Sequence, residues 1–458
     1  MPNQATHNFT KSWVMIGGTG IRADRWSVSR PAYGVIGGFT AETSSEVLTS
    51  ANLDLYQLGQ QAKGQIPVHI IVESPIYGSV TIFGGELDSV DWDFQTDTIR
   101  LAGRDWAGIL ADTKRVLMGN ETIGAPYAAT TRSSSVQAQP LGTKTPPGFS
   151  PLSSQTTFKS INVQNQTPSQ LVTYIAERNG FKTTDSKGAS TIISVAGEPL
   201  VGNIIGGLGV SAHSPHTEWG IVQFLARIMG WFCYVTPDRE LYFGPPPTGQ
   251  VPLHVSWNEI AVHESGVTWY PCKDLEITYN PRRNVSFIVI VASHHIGGLT
   301  VSKKYVAVPS GPMAKEVSVE FPDIVMNPNQ FYIGESGSGV GLTADRMSSL
   351  FANFGKPVYL FYETNLTADG CQAAAYAKAL DIAKRELLIS FSIDGNPNVV
   401  PNQKIHTFNV APYKDIQFFV NSVEHSFDMD QGWWTHVHGW TLPPGMENGQ
   451  LLSQAGIT

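Results

Sequence analysis

The pattern that most constrains this chain is the alternation of apolar and polar residues over short runs, each cut off by glycine, proline or another turn former. Between residues 26 and 104, the runs 51–55, 68–72, 80–83, 86–90 and 98–101 all read with a period of two. A strand sends successive side chains to opposite faces, so such a run buries one row and wets the other. Several of them with turn residues between fold as a small sheet or barrel. The reading returns late in the chain at 275–279, 286–291, 358–362 and 389–393. No short-period repeat is visible. A strand-rich unit near each end still suggests one fold used twice and since diverged.

Between these units the period changes. Thr167-Pro168-Ser169-Gln170 has the form of a capping box with proline at the first helical position, followed by Leu171, Tyr174, Ile175 and Arg178, then Gly180 as a stop. A second helix starts near Thr217-Glu218 and carries Ile221, Phe224, Leu225 and Ile228 on one stripe, with Gly230 as its stop. Residues 231–235 and 240–243 flank Thr236-Pro237-Asp238-Arg239, a hairpin with turn chemistry at its centre. A later helix is expected over 372–387, with Tyr376, Leu380, Ala383 and Leu387 along its apolar side and Asp381 paired to Arg385. Residues 118–157, rich in Ser, Thr, Ala, Gly and Pro, show little periodicity. These features divide the chain into a first barrel (1–117), a linker or arm (118–157), a small α+β module (158–249), a second barrel with insertions (250–441) and a tail (442–458). The fold class is mainly β within α+β.

Composition narrows the function. At 458 residues, with 41% hydrophobic and 15% charged residues, the chain can bury several cores. Its net charge of -8 lacks the basic footprint of a nucleic-acid-binding protein. Cys233, Cys272 and Cys371 are too few and too scattered for a disulfide framework or a zinc site. They read as buried apolar residues of a chain that folds in a reducing compartment. Met1-Pro2-Asn3-Gln4 opens without a basic region and apolar stretch, so no signal peptide is expected, and no apolar run reaches membrane-spanning length.

Three stretches, taken in order, carry a resemblance. The first is the strand end Leu101 leading through Gly103-Arg104-Asp105 into a short helix up to Asp112. The second joins the 167–180 helix to Phe224-Leu225-Ala226-Arg227-Ile228-Met229-Gly230-Trp231 and Asp238-Arg239-Glu240-Leu241-Tyr242-Phe243. The third runs from Gly395-Asn396-Pro397 through Pro401-Asn402 to Val423-Glu424-His425 and Gln431-Gly432-Trp433-Trp434-Thr435. Together they resemble the phage baseplate hub family, late control protein D and its relatives, over most of residues 15–441. Pro401-Asn402 stands where that family usually has Pro-Gly, a mild departure because Asn tolerates a left-handed turn. The resemblance implies two tail-tube-like barrels with inserted modules. It also implies a homotrimer whose pseudo-sixfold ring joins a hexameric tail tube protein to a trimeric spike protein among other baseplate proteins. DNA would pass through the lumen without specific binding. The chain would then be a virion component assembled in the bacterial cytoplasm, with no enzymatic activity, no cofactor and no membrane anchor.

Other motifs invite chemistry and are weighed on their spacing. Ile16-Gly17-Gly18-Thr19-Gly20 looks like a phosphate loop but leads into strand pattern, so it reads as a turn. Gly334-Glu335-Ser336-Gly337-Ser338-Gly339 misses the nucleophile-elbow spacing. His436 and His438 share a strand face, yet a metal needs further ligands, and His425 nearby reads as structural. His294 and His295 fall on opposite faces. Asp88, Asp91, Asp93 and Asp97 could suggest a glycosidase pair but surround an expected hairpin. Trp433, Trp434 and Trp440 could stack on sugars; packing a barrel or a subunit seam is the stronger reading. No catalytic, cofactor-binding or metal residue is assigned. The rival function is a cell-wall hydrolase or carbohydrate-binding tail protein.

Overall fold

The computed structural model describes residues 10–118 apart from 55, 57 and 59–65; 160–162; 166–201 apart from 199; 216–245 apart from 230; 251–257; 267–280; 287–296; 299–309; 332–335; 358–364; 385; 387–408; and 418–441. The first unit comprises β1 (Lys11–Ile16), β2 (Thr19–Ile21), β3 (Arg25–Arg30), β4 (Gly38–Ser44), α1 (Ser45–Ser50), β5 (Pro67–Ser74), β6 (Gly78–Asp93), β7 (Thr98–Asp105) and α2 (Ala107–Asp112). Its strands lie in the order β2-β1-β5-β6-β7-β4-β3, antiparallel throughout. Alternation places Val14 and Ile16, Val68, Ile70 and Val72, and Ile99 and Leu101 in one core.

Two sequence expectations need correction here. Residues 51–54 of the alternating run 51–55 are turn and loop, not strand, and residue 55 lies outside the described residues. Ser44 caps α1 through the Val47 N–H, Glu46 lies in the first turn, and the Ala51 N–H closes the last turn on Val47 and Leu48. Asn52 then leaves in the left-handed region at φ 56°. The runs 80–83 and 86–90 are not separate strands either. Gly84-Gly85 lies inside the 16-residue β6, whose pairing shifts register near Ile70 and again near Leu87. Those glycines serve close approach: a Cβ at Gly84 would sit 2.1 Å from the Pro237 carbonyl oxygen.

The middle of the chain supplies β8 (Lys114–Met118), β9 (Ser160–Asn162), α3 (Pro168–Arg178), β10 (His216–Thr217), α4 (Glu218–Met229), β11 (Phe232–Val235) and β12 (Leu241–Gly244). The capping box on α3 is closed in both directions: the Gln170 N–H donates to Thr167 Oγ1, and the Thr167 N–H donates to Gln170 Oε1 at 3.0 Å. Gly180, at φ 71°, ends the helix as the Phe181 N–H reaches back to Ala176. The buried stripe is Leu171, Val172, Ile175 and Ala176; Tyr174 faces outward with Arg178 over its ring. On α4, Ile221, Val222 and Leu225 are buried. The β11–β12 hairpin turns where the sequence places it, with Arg239 at φ 65°. The shared core also takes in Trp106, Ala107 and Leu110, so α2 is built into this middle core. Thr167→Ala should lower the unfolding free energy by about 1 kcal/mol, the ordinary cost of a lost N-cap, measured by urea titration with circular dichroism.

The last part contains β13 (Leu253–Trp257), β14 (Trp269–Tyr279), β15 (Phe287–Ile296), β16 (Leu299–Pro309), β17 (Tyr332–Glu335), β18 (Val358–Thr364), β19 (Leu387–Asp394), β20 (Lys404–Phe408), β21 (Phe418–Asp428) and β22 (Gly432–Thr441). Six of these close a barrel in the order β21-β20-β13-β14-β19-β22, because β22 pairs with both β19 and β21. Its core includes Leu253, Val255, Phe391, Ile405, Phe418 and Val437. The runs near 286–291 and 358–362 do not join that barrel. They form a separate four-stranded sheet, β17-β16-β15-β18, with β15 and β18 parallel. Most of the expected 372–387 helix lies outside the described residues, but Leu387 begins β19 and is not a helical residue. Cys233 and Cys272 are buried free thiols, pushed up by burial to about 12 and about 11. No helix among the described residues is long and apolar enough to cross a membrane.

Candidate functional site at the joint between the first sheet and the barrel

The two strand-rich units are one continuous 13-stranded sheet. The seam is the antiparallel pairing of β3 with β21, from Arg30 opposite Val423 to Arg25 opposite Asp428. β21 therefore changes partner along one edge: Phe418 and Phe419 pair with β20, and its later residues pair with β3. Side chains reinforce the seam. Ser27 Oγ donates to Glu424 at 2.6 Å, Arg25 meets Asp428 at 2.8 Å, and Trp26 stacks on Phe427 with centroids 5.9 Å apart. The exposed Arg25 pair contributes little on its own. Trp433 crosses the joint: it belongs to β22 of the second barrel, yet it is 2% exposed within the core of the first unit.

The Gly103-Arg104-Asp105 motif now has a physical account. Gly103 lets the Glu86 carbonyl come close, since a Cβ there would sit 1.9 Å from its oxygen. Arg104 donates to both oxygens of Asp88 (2.7 and 2.9 Å) and to both oxygens of Asp112 (3.1 and 2.9 Å), tying β6 to the end of α2. These bonds hold the guanidinium well above its ordinary pKa. Asp105 accepts from the Gly37 and Ala107 N–H groups, at 2.6 and 2.9 Å.

The remaining candidates take structural positions. Gly17 and Gly18, at φ 57° and 93°, make the two-residue turn of the β1–β2 hairpin. Asn402 adopts φ 65°, the left-handed conformation that lets Asn stand in for glycine. His436 uses both ring nitrogens on serine hydroxyls, Ser392 at 2.8 Å and Ser426 at 3.0 Å, while His438 on the same face is exposed. His294 and His295 lie in β15, where the pairing register shifts between them. Gly334 and Glu335 end β17, and 336–339 fall outside the described residues. The aspartates do not converge. Asp88 holds Arg104, Asp93 accepts from the Gln95 N–H, and Asp97 accepts from Trp92 Nε1 and Ser45 Oγ. The tip of this hairpin shows what the sequence reading missed. Trp92 and Phe94 pack 4.0 Å apart, with Phe94 76% exposed. Trp433 and Trp440 are buried, against the exposed role considered for them, and Trp434 lies half-buried under Lys273.

His425 is fully buried. Its Nδ1 lies 3.1 Å from Thr435 Oγ1, which itself accepts the Asn396 N–H, so the hydroxyl proton is assigned to the ring nitrogen. Burial first, then the Arg30 and His436 charges, holds the imidazole well below its ordinary pKa of 6.5. The unfolded chain therefore binds a proton that the folded chain refuses. The contribution of the neutral ring to stability is complete above pH 6.5 and shrinks as pH falls below that value. Urea midpoints taken between pH 7.5 and 5 should drop further for the native chain than for His425→Gln.

A seven-stranded sheet merged edge to edge with a six-stranded barrel, together with a helical module, makes up the architecture. The chain is similar in structure to the tail protein from Neisseria meningitidis MC58, at 12% identity and TM-score 0.53, over 97% of this chain and 99% of that one. It is similar also to the 43 kDa tail protein of prophage MuSo2 from Shewanella oneidensis, at 12% identity and TM-score 0.52, over 95% and 100%. No family model and no curated protein matches the sequence. The expected likeness to tail proteins thus holds for the fold, across nearly the whole chain.

Proposed function

We propose that this protein is a structural baseplate hub of a phage-type tail. In this reading it is a homotrimer, each chain contributes two barrel-like units, and the three chains form a pseudo-sixfold ring. The ring would join the hexameric tail tube protein to a trimeric spike protein, contact other baseplate proteins and surround the DNA conduit. The observation that carries the reading is the β3–β21 seam, which joins a seven-stranded antiparallel sheet edge to edge with a closed six-stranded barrel within one chain. Three such chains can present six similar units to a sixfold tube while keeping threefold symmetry toward a spike. The net charge of -8 suits a conduit that DNA must traverse without adhering. The action is mechanical, without catalysis or cofactor, and the place of action is the tail baseplate, after assembly in the bacterial cytoplasm. Domain limits near 117, 157, 249 and 441 accompany this proposal.

The test is electron microscopy with symmetry analysis of the assembled particle, with light scattering on the purified chain beside it. Three copies in a closed ring are expected. A dimer or a six-copy ring in the particle would overturn the reading.

A further inference from the structure

A cavity of about 290 Å³ opens where the loop after β3, the middle of β6, the β11–β12 turn and the 400–401 segment meet. Its walls are fixed by the fold. Trp219 Nε1 donates to the Gly34 carbonyl at 2.9 Å, and Gln223 donates to the same oxygen. Tyr33 stacks on Tyr234, centroids 4.6 Å apart, and meets Phe232 edge-on at 5.0 Å. Trp106 Nε1 holds the Pro237 carbonyl at 2.9 Å, which keeps the hairpin turn against Gly84. A loop pinned this often gives a preformed pocket, small enough for one compact ligand.

The lining is aromatic and aliphatic, with one cation. The Arg30 guanidinium donates to the Ile82 carbonyl, its one hydrogen bond among the described residues, and no carboxylate there pairs with it. Burial pulls its pKa down to about 10, so it stays charged at neutral pH, and its neighbour His425 is neutral. Asp105, also on the wall, is no counter-ion to it. That carboxyl accepts two backbone N–H groups, has Arg104 as its charged neighbour, and is raised by burial to about 7. A guanidinium offers five N–H donors in a planar fork that matches a carboxylate, and a partly desolvated one without a counter-ion favours an anion.

We propose that this pocket binds a small carboxylate carried on an aromatic or branched apolar body, with the carboxylate on Arg30 and the apolar part against Tyr33, Phe83 and Tyr234. The same chemistry is offered by a free aromatic acid and by the last residue of a peptide. The inference stands apart from the hub reading, because it rests on the cavity alone.

Calorimetric titration of the full chain at pH 6.5 tests it with two matched pairs of probes. The pairs are 3-phenylpropionate against 3-phenylpropionamide, and N-acetyl-L-phenylalanine against its amide. Each acid should bind at least about tenfold more tightly than its amide, the scale of a charge-assisted hydrogen bond. The tighter of the two acids identifies the source. Arg30→Met should remove the preference for the acid. Equal affinity of acid and amide on the unaltered chain, or no saturation by either acid at millimolar concentration, would overturn the proposal. That comparison needs no variant, so a folding defect in Arg30→Met cannot obscure it.

Discussion

Trp433→Ala is expected to destabilise the protein by about 3–5 kcal/mol, the range for truncating a large buried aromatic. The residue sits at 2% exposure in the core of the first unit although its backbone belongs to the second barrel, so both units should lose cohesion together. Urea unfolding followed by circular dichroism measures the loss, and a change below about 1 kcal/mol would contradict the assigned packing. A companion substitution sharpens the test. Gly395 lies against the indole, and a Cβ there would be 2.1 Å from a Trp433 ring carbon. Gly395→Ala should therefore be costly in the native background and nearly free once Trp433 is alanine, since the added methyl enters space the indole has left. The two effects should fall short of additivity by more than about 1 kcal/mol, as for residues in direct contact. Strict additivity would show that they do not share that space.

Gly103→Ala should be the most damaging single-methyl change in the first unit. Its new Cβ would stand 1.9 Å from the Glu86 carbonyl oxygen, which is strand backbone and cannot rotate away as a side-chain tip could. Overpacking costs about 1–3 kcal/mol when side chains can yield. Here β6 and β7 must separate, and the loss should reach or exceed the upper end of that range. The separation would also move Arg104 and Asp105, which act from the next two positions. Gly108→Ala is the control, since its Cβ would meet only the Arg104 side chain at 3.2 Å. Thermal unfolding of both variants should show a large drop for the first and a small one for the second.

Local chemistry was what the sequence displayed most clearly. The Thr167 capping box, the hairpin around Thr236-Pro237-Asp238-Arg239 and the alternation of β5 and β7 need only neighbouring residues to read. The stretch beginning at Ala51 misled because a short alternating run cannot report that Ser44 opens a helix just before it and that Ala51 closes that helix. Gly84-Gly85 misled in the opposite sense. Glycine usually marks a turn, but here Gly84 marks the place where the Pro237 backbone arrives from far along the chain, and Gly85 a close approach of the neighbouring strand. The seam had no local signature at all, because Ser27 and Glu424 become neighbours only in three dimensions. Trp433 illustrates the same limit: its sequence context shows a strand, not the core that the strand will serve. The cavity beside Arg30 was equally hidden, being assembled from segments scattered between residues 29 and 401.

The seam also sets the order in which this chain can fold. Ser27 and Glu424, bonded across it, are 397 residues apart. During synthesis the β3 edge emerges that far ahead of its partner, so the first sheet must wait with an unpaired strand edge. Closing so long a loop is slow, and an open edge invites pairing with other chains. A chain cut short before β21 would lack both that partner and Trp433. It should aggregate through β3, which makes synthesis of β21 and β22 itself a checkpoint before any assembly can begin.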